Sequence, residues 1–284
     1  MSNEGPAAVE RRTADATPHA ASLIQSLRDI GYSCETALAD IIDNSITAGA
    51  KSIQLMSDAS SAEPALGILD DGRGMSFEEL VEAMRPGTRS PLVSRDMNDL
   101  GRFGLGLKSA SFSQCKRLTV VTRKNGIFSG ATWDLDVVAD TNRWDIAIHD
   151  DENGIPWADQ LQNDGTLVVW RSLDRLSGGL QHDLGKQAEH INRAIAGAER
   201  HVRLVFHRFM SEGRSPLVIR LNGRQLEPID PFGTRFSTHQ SDRPDQLELR
   251  NGIVEFQSFT LPHHKSIPLS DWNELGGPEG HLRS

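Results

Sequence analysis

Apolar residues at Leu23, Leu27 and Ile30 follow a helical spacing over residues 19–30, and Gly31 ends the run in the manner of a C-terminal cap. A second helix is predicted from Ser33 or Cys34 to Ala48, with Leu38, Ile41, Ile42 and Ile46 inward. Residues 51–56 and 65–69 read as short strands, the second running into the turn Asp70-Asp71-Gly72-Arg73-Gly74. Ser76, with Glu78 and Glu79 in the next turn, is the expected cap of a third helix that reaches Met84. Periodicity then fails over residues 85–101, where Pro86, Gly87 and Pro91 interrupt the chain. Loops of about 15 residues are uncommon without a function, and a mobile one is expected here. Gly101 to Lys108 forms a glycine-rich turn that leads into a helix ending at Ser113. Residues 117–122, 130–137, 144–149 and 165–170 are predicted strands of a largely antiparallel sheet.

The pattern changes at Leu176-Ser177-Gly178-Gly179. Beyond it, Leu184, Ala188, Ile191, Ile195, Ala198, Val202, Val205 and Phe209 lie alternately four and three apart, which predicts a long amphipathic helix ending near Met210. Residues 217–221, the turn Asn222-Gly223 and residues 224–226 carry a hairpin signal, expected to begin a second domain. The chain thus divides into a polar lead over residues 1–18, expected to be disordered, a first domain over 19–176, and a helix with part of a second domain over 180–284, which looks truncated.

Composition narrows the possibilities. A chain of 284 residues suffices for two modest domains or one large one, so no disulfide scaffold is needed. Cys34 and Cys115 are the only cysteines, which argues for a reducing compartment, read as the cytoplasm, and against a cysteine zinc site. Hydrophobic residues at 37% and charged residues at 24% describe a globular protein, and no apolar stretch has the length of a membrane span. The net charge of −9 excludes a protein whose whole surface grips nucleic acid. Yet residues 193–224 hold seven arginines against Glu199 and Glu212, so this stretch is +5 and the remainder −14. It reads first as the solvated side of a helix and second as a place for a DNA contact.

Three segments concentrate polar residues and glycines. Asp40 and Asn44 stand four apart on one face of the second helix, where their oxygens could converge on an ion such as Mg²⁺; from spacing alone a solvated helix face explains them as well. Asp70 at a strand end, followed by Gly72 and Gly74, could present a carboxylate to a base amino group while the glycines allow close approach of the ring, although such a turn is often only a turn. Gly101, Gly104 and Gly106 ahead of a helix offer backbone N–H groups to phosphate, with Lys108 as a point charge.

In this order the three segments resemble the GHKL superfamily, the Bergerat-fold ATPases that include gyrase, MutL, heat-shock chaperones and histidine kinases. The N-box is Asp40-Ile41-Ile42-Asp43-Asn44-Ser45-Ile46-Thr47-Ala48, and the first glycine motif is Asp70-Asp71-Gly72-Arg73-Gly74-Met75. The second is Gly101-Arg102-Phe103-Gly104-Leu105-Gly106-Leu107-Lys108-Ser109, whose wording is closest to the MORC branch and its prokaryotic relatives. The match extends weakly through Asp164-Gly165-Thr166, and the segments 219–224 and 228–232 resemble the start of an S5-like transducer domain.

The resemblance implies an α+β fold, a two-layer sandwich of a mixed, largely antiparallel sheet with helices on one face, followed by part of a transducer. It implies ATP bound with Mg²⁺. Asn44 would ligate the ion and, with Ala48, belong to the nucleotide-contacting positions. Asp70 would accept from the adenine amino group with Thr166 near it through water, and Gly72, Gly74 and Met75 would line the base. Residues 85–101 would be a lid, while Gly101, the N–H groups of Phe103, Gly104, Leu105, Gly106 and Leu107, and the ammonium of Lys108 would hold the phosphates. An ATP-dependent homodimer is implied, with DNA a candidate partner through residues 193–224, a protein client the alternative, and no membrane partner.

The sequence departs from the family at the general base, usually Glu in the N-box and here Asp40, one methylene shorter. Losing about 1.5 Å of reach can cost orders of magnitude in rate, so slow hydrolysis is expected. A pure nucleotide-binding switch and a chaperone-like ATPase remain the alternatives.

Overall fold

The computed structural model describes residues 14, 18–29, 31–87, 106–180, 183–213, 215–236, 240–241, 243–250, 252–261 and 263–277. Most of the polar lead, most of the expected lid, and Gly101, Phe103, Gly104 and Leu105 lie outside these residues.

The elements follow the local signals closely. The helix α1 (Ala20–Arg28) precedes α2 (Cys34–Thr47), whose cap Ser33 accepts from the Thr36 amide. Strands β1 (Ser52–Asp58) and β2 (Ala65–Asp70) lead to α3 (Phe77–Met84), which begins with a full capping box between Ser76 and Glu79. After α4 (Gly106–Phe112) come β3 (Arg117–Lys124) and β4 (Ile127–Asp134). The strand predicted to reach residue 137 stops at Asp134, because that carboxylate accepts from the amides of Asp136 and Val137 and starts α5 (Leu135–Thr141). Next are β5 (Ala147–His149), β6 (Gly165–Arg171), α6 (Leu184–Val205), α7 (His207–Ser211), β7 (Val218–Leu221) and β8 (Arg224–Gln225).

The strands form one eight-stranded sheet in the order β5-β4-β3-β6-β2-β1-β7-β8. Every neighbouring pair is antiparallel except β1 with β7, which makes this a mixed, mainly antiparallel α+β sandwich. Helices cover one face. Leu38, Ile41 and Ile42 of α2 share a core there with Ile68 of β2, Val120 of β3, Trp133 of β4 and Trp170 of β6. On the other face the segment 155–161 buries Ile155, Ala158 and Leu161 against Met56, Leu69, Val121, Leu167 and Val169. With both faces covered, β2 is buried along its whole length.

The change of pattern at residues 176–179 does not separate two cores. β7, part of the hairpin expected to open a second domain, pairs with β1 in the same sheet, from Ser52 with Val218 to Leu55 with Leu221. Ile219 and Leu226 are buried in the core that holds α2. The α6 helix presses Ile191, Ile195, Ala198 and Val202 inward. At Gly197 the α6 helix faces the Glu35 side chain of α2, whose carboxylate would stand 2.7 Å from a Cβ there. Both ends of the predicted stripe, Leu184 and Phe209, are exposed; at the second end Phe206 interrupts the helix, and it and Met210 are buried in place of Phe209. Further along stand a pair β9 (Gln240–Ser241) with β12 (Phe259–Thr260), a hairpin β10 (Asp245–Leu249) with β11 (Gly252–Phe256), and α8 (Leu269–Glu274). Among the described residues no helix is long and apolar enough to cross a membrane.

Candidate functional site

Asp70 ends β2 with its side chain turned to the helical layer. One carboxylate oxygen, Oδ2, accepts from the Ser45 hydroxyl at 2.8 Å, and Oδ1 accepts from the Gly72 amide at 2.9 Å. Burial raises the Asp70 pKa, opposed by the hydrogen bonds from Gly72, Ser45 and the Thr166 backbone. A carboxylate has about four acceptor positions, so three bonds leave roughly one for a further donor. The neighbouring Asp71 does different work. Its Oδ1 accepts from the amides of Lys51 and Ser52 at 2.7 and 2.8 Å, tying the turn to the start of β1.

The turn after Asp70 fits only without side chains. A Cβ on Gly72 would stand 2.8 Å from the Ala48 Cβ and 2.9 Å from Asp70 Oδ1. Gly74 has φ +62°, and a Cβ there would fall on the Arg123 carbonyl oxygen. The Arg73 amide donates to the Ala48 carbonyl at 3.1 Å, which docks this turn on the end of α2. Met75, half-buried, donates its amide to Thr122 Oγ1 at 2.9 Å. The Thr122 hydroxyl in turn donates to the Gly165 carbonyl at 2.8 Å and stands 3.3 Å from the Thr166 hydroxyl. Ala48, Asp70, Gly72, Gly74, Met75 and Thr166 are therefore brought into one neighbourhood at the strand ends.

Asp40 and Asn44 follow along α2. The Asn44 amide nitrogen donates to the Asp40 carbonyl at 2.8 Å, which leaves its side-chain oxygen as the end available to a cation. The Asp40 carboxylate lies against the first residue of α4: a Cβ on Gly106 would sit 3.4 Å from Asp40 Oδ2. The same oxygen accepts from the Tyr32 hydroxyl at 2.8 Å. Asp43, beside Asn44 and half-buried, has its pKa pushed up to about 6 by burial and then by the Asp40 charge.

Lys108 is placed differently from its expected role. It is 2% exposed, and its ammonium donates to the Ala83 carbonyl at 2.8 Å, at the end of α3. Burial lowers its pKa to about 8, against an opposing pull from Glu82. Leu107 is half-buried against the helical core.

Thr122 and Tyr32 lie outside the motifs, and Ser45 lies within the N-box without an assigned role there. Ser45 and Thr122 do leave a trace, each a small hydroxyl residue inside an apolar pattern where burial demands a partner. The basic stretch 193–224 is partly neutralised in place. Arg193 pairs with Glu189 at 2.9 Å, Arg224 with Glu199 at 2.7 Å and Arg208 with Glu212 at 3.9 Å. Arg203 Nε donates to the Glu227 carbonyl at 2.6 Å, and Arg220 donates to the Ser52 hydroxyl at 3.2 Å.

An adenine nucleotide fits these groups: a buried acceptor at a strand end, a glycine turn packed tightly beside it, and an amide oxygen near a carboxylate. Comparison with known proteins agrees. Residues 32–165 match the family described as histidine kinase-, DNA gyrase B- and HSP90-like ATPase. The chain is also similar to ATPase morc-1 of Caenorhabditis elegans, 33% identical over 94 residues that cover 33% of this chain and 11% of that protein. The chain thus spans about a tenth of the length of the curated relative it matches.

Proposed function

We propose that the chain binds ATP with Mg²⁺ and hydrolyses it slowly to gate dimerisation of a MORC-like clamp that acts on DNA, a reading supported by the match of residues 32–165 to the histidine kinase-, DNA gyrase B- and HSP90-like ATPase family and by the similarity to ATPase morc-1. The observation that carries the reading is the closeness of Asp40 Oδ2 to Gly106, which joins the N-box to the end of the glycine-rich turn. Asp70 and the Gly72–Gly74 turn take the adenine, its amino group donating to the remaining acceptor position of the carboxylate. Asn44 offers its side-chain oxygen to Mg²⁺, which when bound neutralises phosphate charge. Asp40 accepts the proton of a water whose oxygen bonds to the γ-phosphorus as the bond to the bridging oxygen breaks and ADP leaves with the electron pair. The shorter reach of Asp40 makes this step slow.

Dimerisation on ATP and action on DNA rest on the family alone, and the paired arginines of residues 193–224 leave only part of that surface for phosphate contacts. A chaperone-like role on protein clients would use the same pocket, and DNA binding separates the two.

The test measures ATP binding and turnover side by side. Asp40→Ala is expected to bind ATP and to lose turnover by about two orders of magnitude or more, Asp40→Glu to turn over faster, and Asn44→Ala to lose Mg²⁺-dependent binding. Undiminished hydrolysis by Asp40→Ala would remove Asp40 as the base. Failure of the wild type to bind any adenine nucleotide would sink the reading.

A further inference from the structure

We propose that Tyr32 is the positioning residue of Asp40, a part that no motif of the chain assigns to it; the proposal rests on the reading of Asp40 as the general base. The two residues come from different places. Tyr32 lies just ahead of α2, after Gly31 at φ +82°, whereas Asp40 stands two turns into the helix. Tyr32 is held at both ends. Its backbone carbonyl accepts from Gln114 Nε2 at 3.1 Å, and its hydroxyl, besides donating to Asp40 Oδ2 at 2.8 Å, accepts from the side chain of Ser109 on α4. Ser109 is 4% exposed, so the chain of hydroxyls starts from a fixed point in the core.

An aspartate in place of a glutamate has little slack. Its carboxylate must be aimed, because a lost methylene cannot be recovered by side-chain swing. The Tyr32 hydroxyl takes up Oδ2 and fixes the plane of the group. The second oxygen, Oδ1, then serves the attacking water. Gly106 borders the same oxygen as Tyr32: a Cβ there would stand in ordinary van der Waals contact with Oδ2 at 3.4 Å, so the start of α4 flanks the carboxylate. Tyr32 touches neither substrate nor the reacting atoms in this scheme. It acts through Asp40.

Tyr32 is the only tyrosine of the chain, so its ionisation can be followed by ultraviolet absorbance. Burial and the Asp40 hydrogen bond raise the Tyr32 pKa above its ordinary value. The experiment combines this titration with kinetics on Tyr32→Phe. Removing the hydroxyl is expected to lower kcat about tenfold while the ATP dissociation constant stays within about twofold, a split that a general loss of packing would not produce. In Asp40→Asn the tyrosine titration is expected to move to lower pH with the thermal midpoint nearly unchanged. A Tyr32→Phe variant with wild-type kcat, or a tyrosine titration indifferent to Asp40→Asn, overturns the proposal and leaves the ATPase reading standing. A wild type that binds ATP but never hydrolyses it overturns both, because Asp40 then serves no water.

Discussion

The Ser45 hydroxyl donates to Asp70 Oδ2 at 2.8 Å, joining the buried face of α2 to the end of β2. This bond turns the Asp70 carboxylate toward the helical layer and takes up one of its acceptor positions. Ser45→Ala removes one of the donors that keep the carboxylate ionised in a buried place. It is expected to weaken ATP binding about tenfold, with Asp70→Asn weakening it further, as read by calorimetry. The pH dependence has a definite sign. Burial raises the Asp70 pKa, so acidification protonates it earlier than an exposed aspartate, and ATP affinity falls on the acid side at a higher pH than an exposed aspartate would give. The folded state holds this proton more tightly than the unfolded chain, so Asp70 costs stability increasingly as pH rises from its unfolded value through its folded one. ATP affinity that is flat across that range would refute the role of Asp70.

Gly74 offers a stricter test of the same pocket. Its φ of +62° and the Arg123 carbonyl at the position of a Cβ mean that Gly74→Ala strains the backbone and collides with β3 together. The expected cost is about 3 kcal/mol or more in denaturant unfolding, with ATP binding lost. Gly126→Ala is the control. That residue has φ +77° but nothing within 4 Å, so it bears the backbone strain alone, about 1 kcal/mol, and should keep ATP binding.

Local rules carried much of this fold and site. Ser33 and Ser76 start their helices as the side chains at those positions demand, and Asn222-Gly223, with φ +47° and +81°, makes the tight hairpin turn its dipeptide signals. Asp70, Gly72 and Gly74 come together because they are neighbours in sequence, so spacing alone placed them. What the chain did not show depends on distant pairing. The parallel approach of β7 to β1 joins residues some 165 apart, and nothing in a hairpin signal says which strand it will join. The α5 helix was hidden because the run after Asp134 is apolar and β-branched, and only the capping carboxylate decides for a helix. Tyr32 is eight residues from Asp40, and a side chain bridging two turns of helix from outside has no spacing rule.

The arginines of α6 make a separable prediction about DNA. Arg193 and Arg200 project from the exposed side of the helix, and the exposed Arg193–Glu189 pair is weak enough for a phosphate to replace, while Arg203 is tied to the Glu227 carbonyl. Arg193→Glu with Arg200→Glu is expected to weaken duplex binding uniformly across sequences and to reduce the slope of log affinity against log salt by about 1 for each lost phosphate contact. ATP turnover should be unchanged. Binding with the wild-type salt slope would move the DNA surface elsewhere or favour a protein client.

Lys108 decides between two placements of its ammonium. In this structure the group is buried on the Ala83 carbonyl, at the end of α3 where the expected lid begins, with its pKa lowered to about 8. For a phosphate contact the ammonium has to leave that carbonyl and be protonated. ATP should then bind tightest below pH 8 and lose affinity as pH rises past it, while Lys108→Met binds about 100-fold more weakly at pH 7 and shows no such slope. Stability without nucleotide runs the other way. Between the folded value of about 8 and the unfolded 10.5 the unfolded chain holds one more proton, so the wild type gains stability relative to Lys108→Met as pH rises through that window, by up to about 3 kcal/mol. Urea unfolding at pH 7 and pH 10 measures the second effect, and calorimetric ATP titration at pH 7 and pH 9 the first. If the stability difference appears but ATP affinity is the same at both pH values and in both proteins, Lys108 stays on Ala83 and supports the end of α3 without touching phosphate.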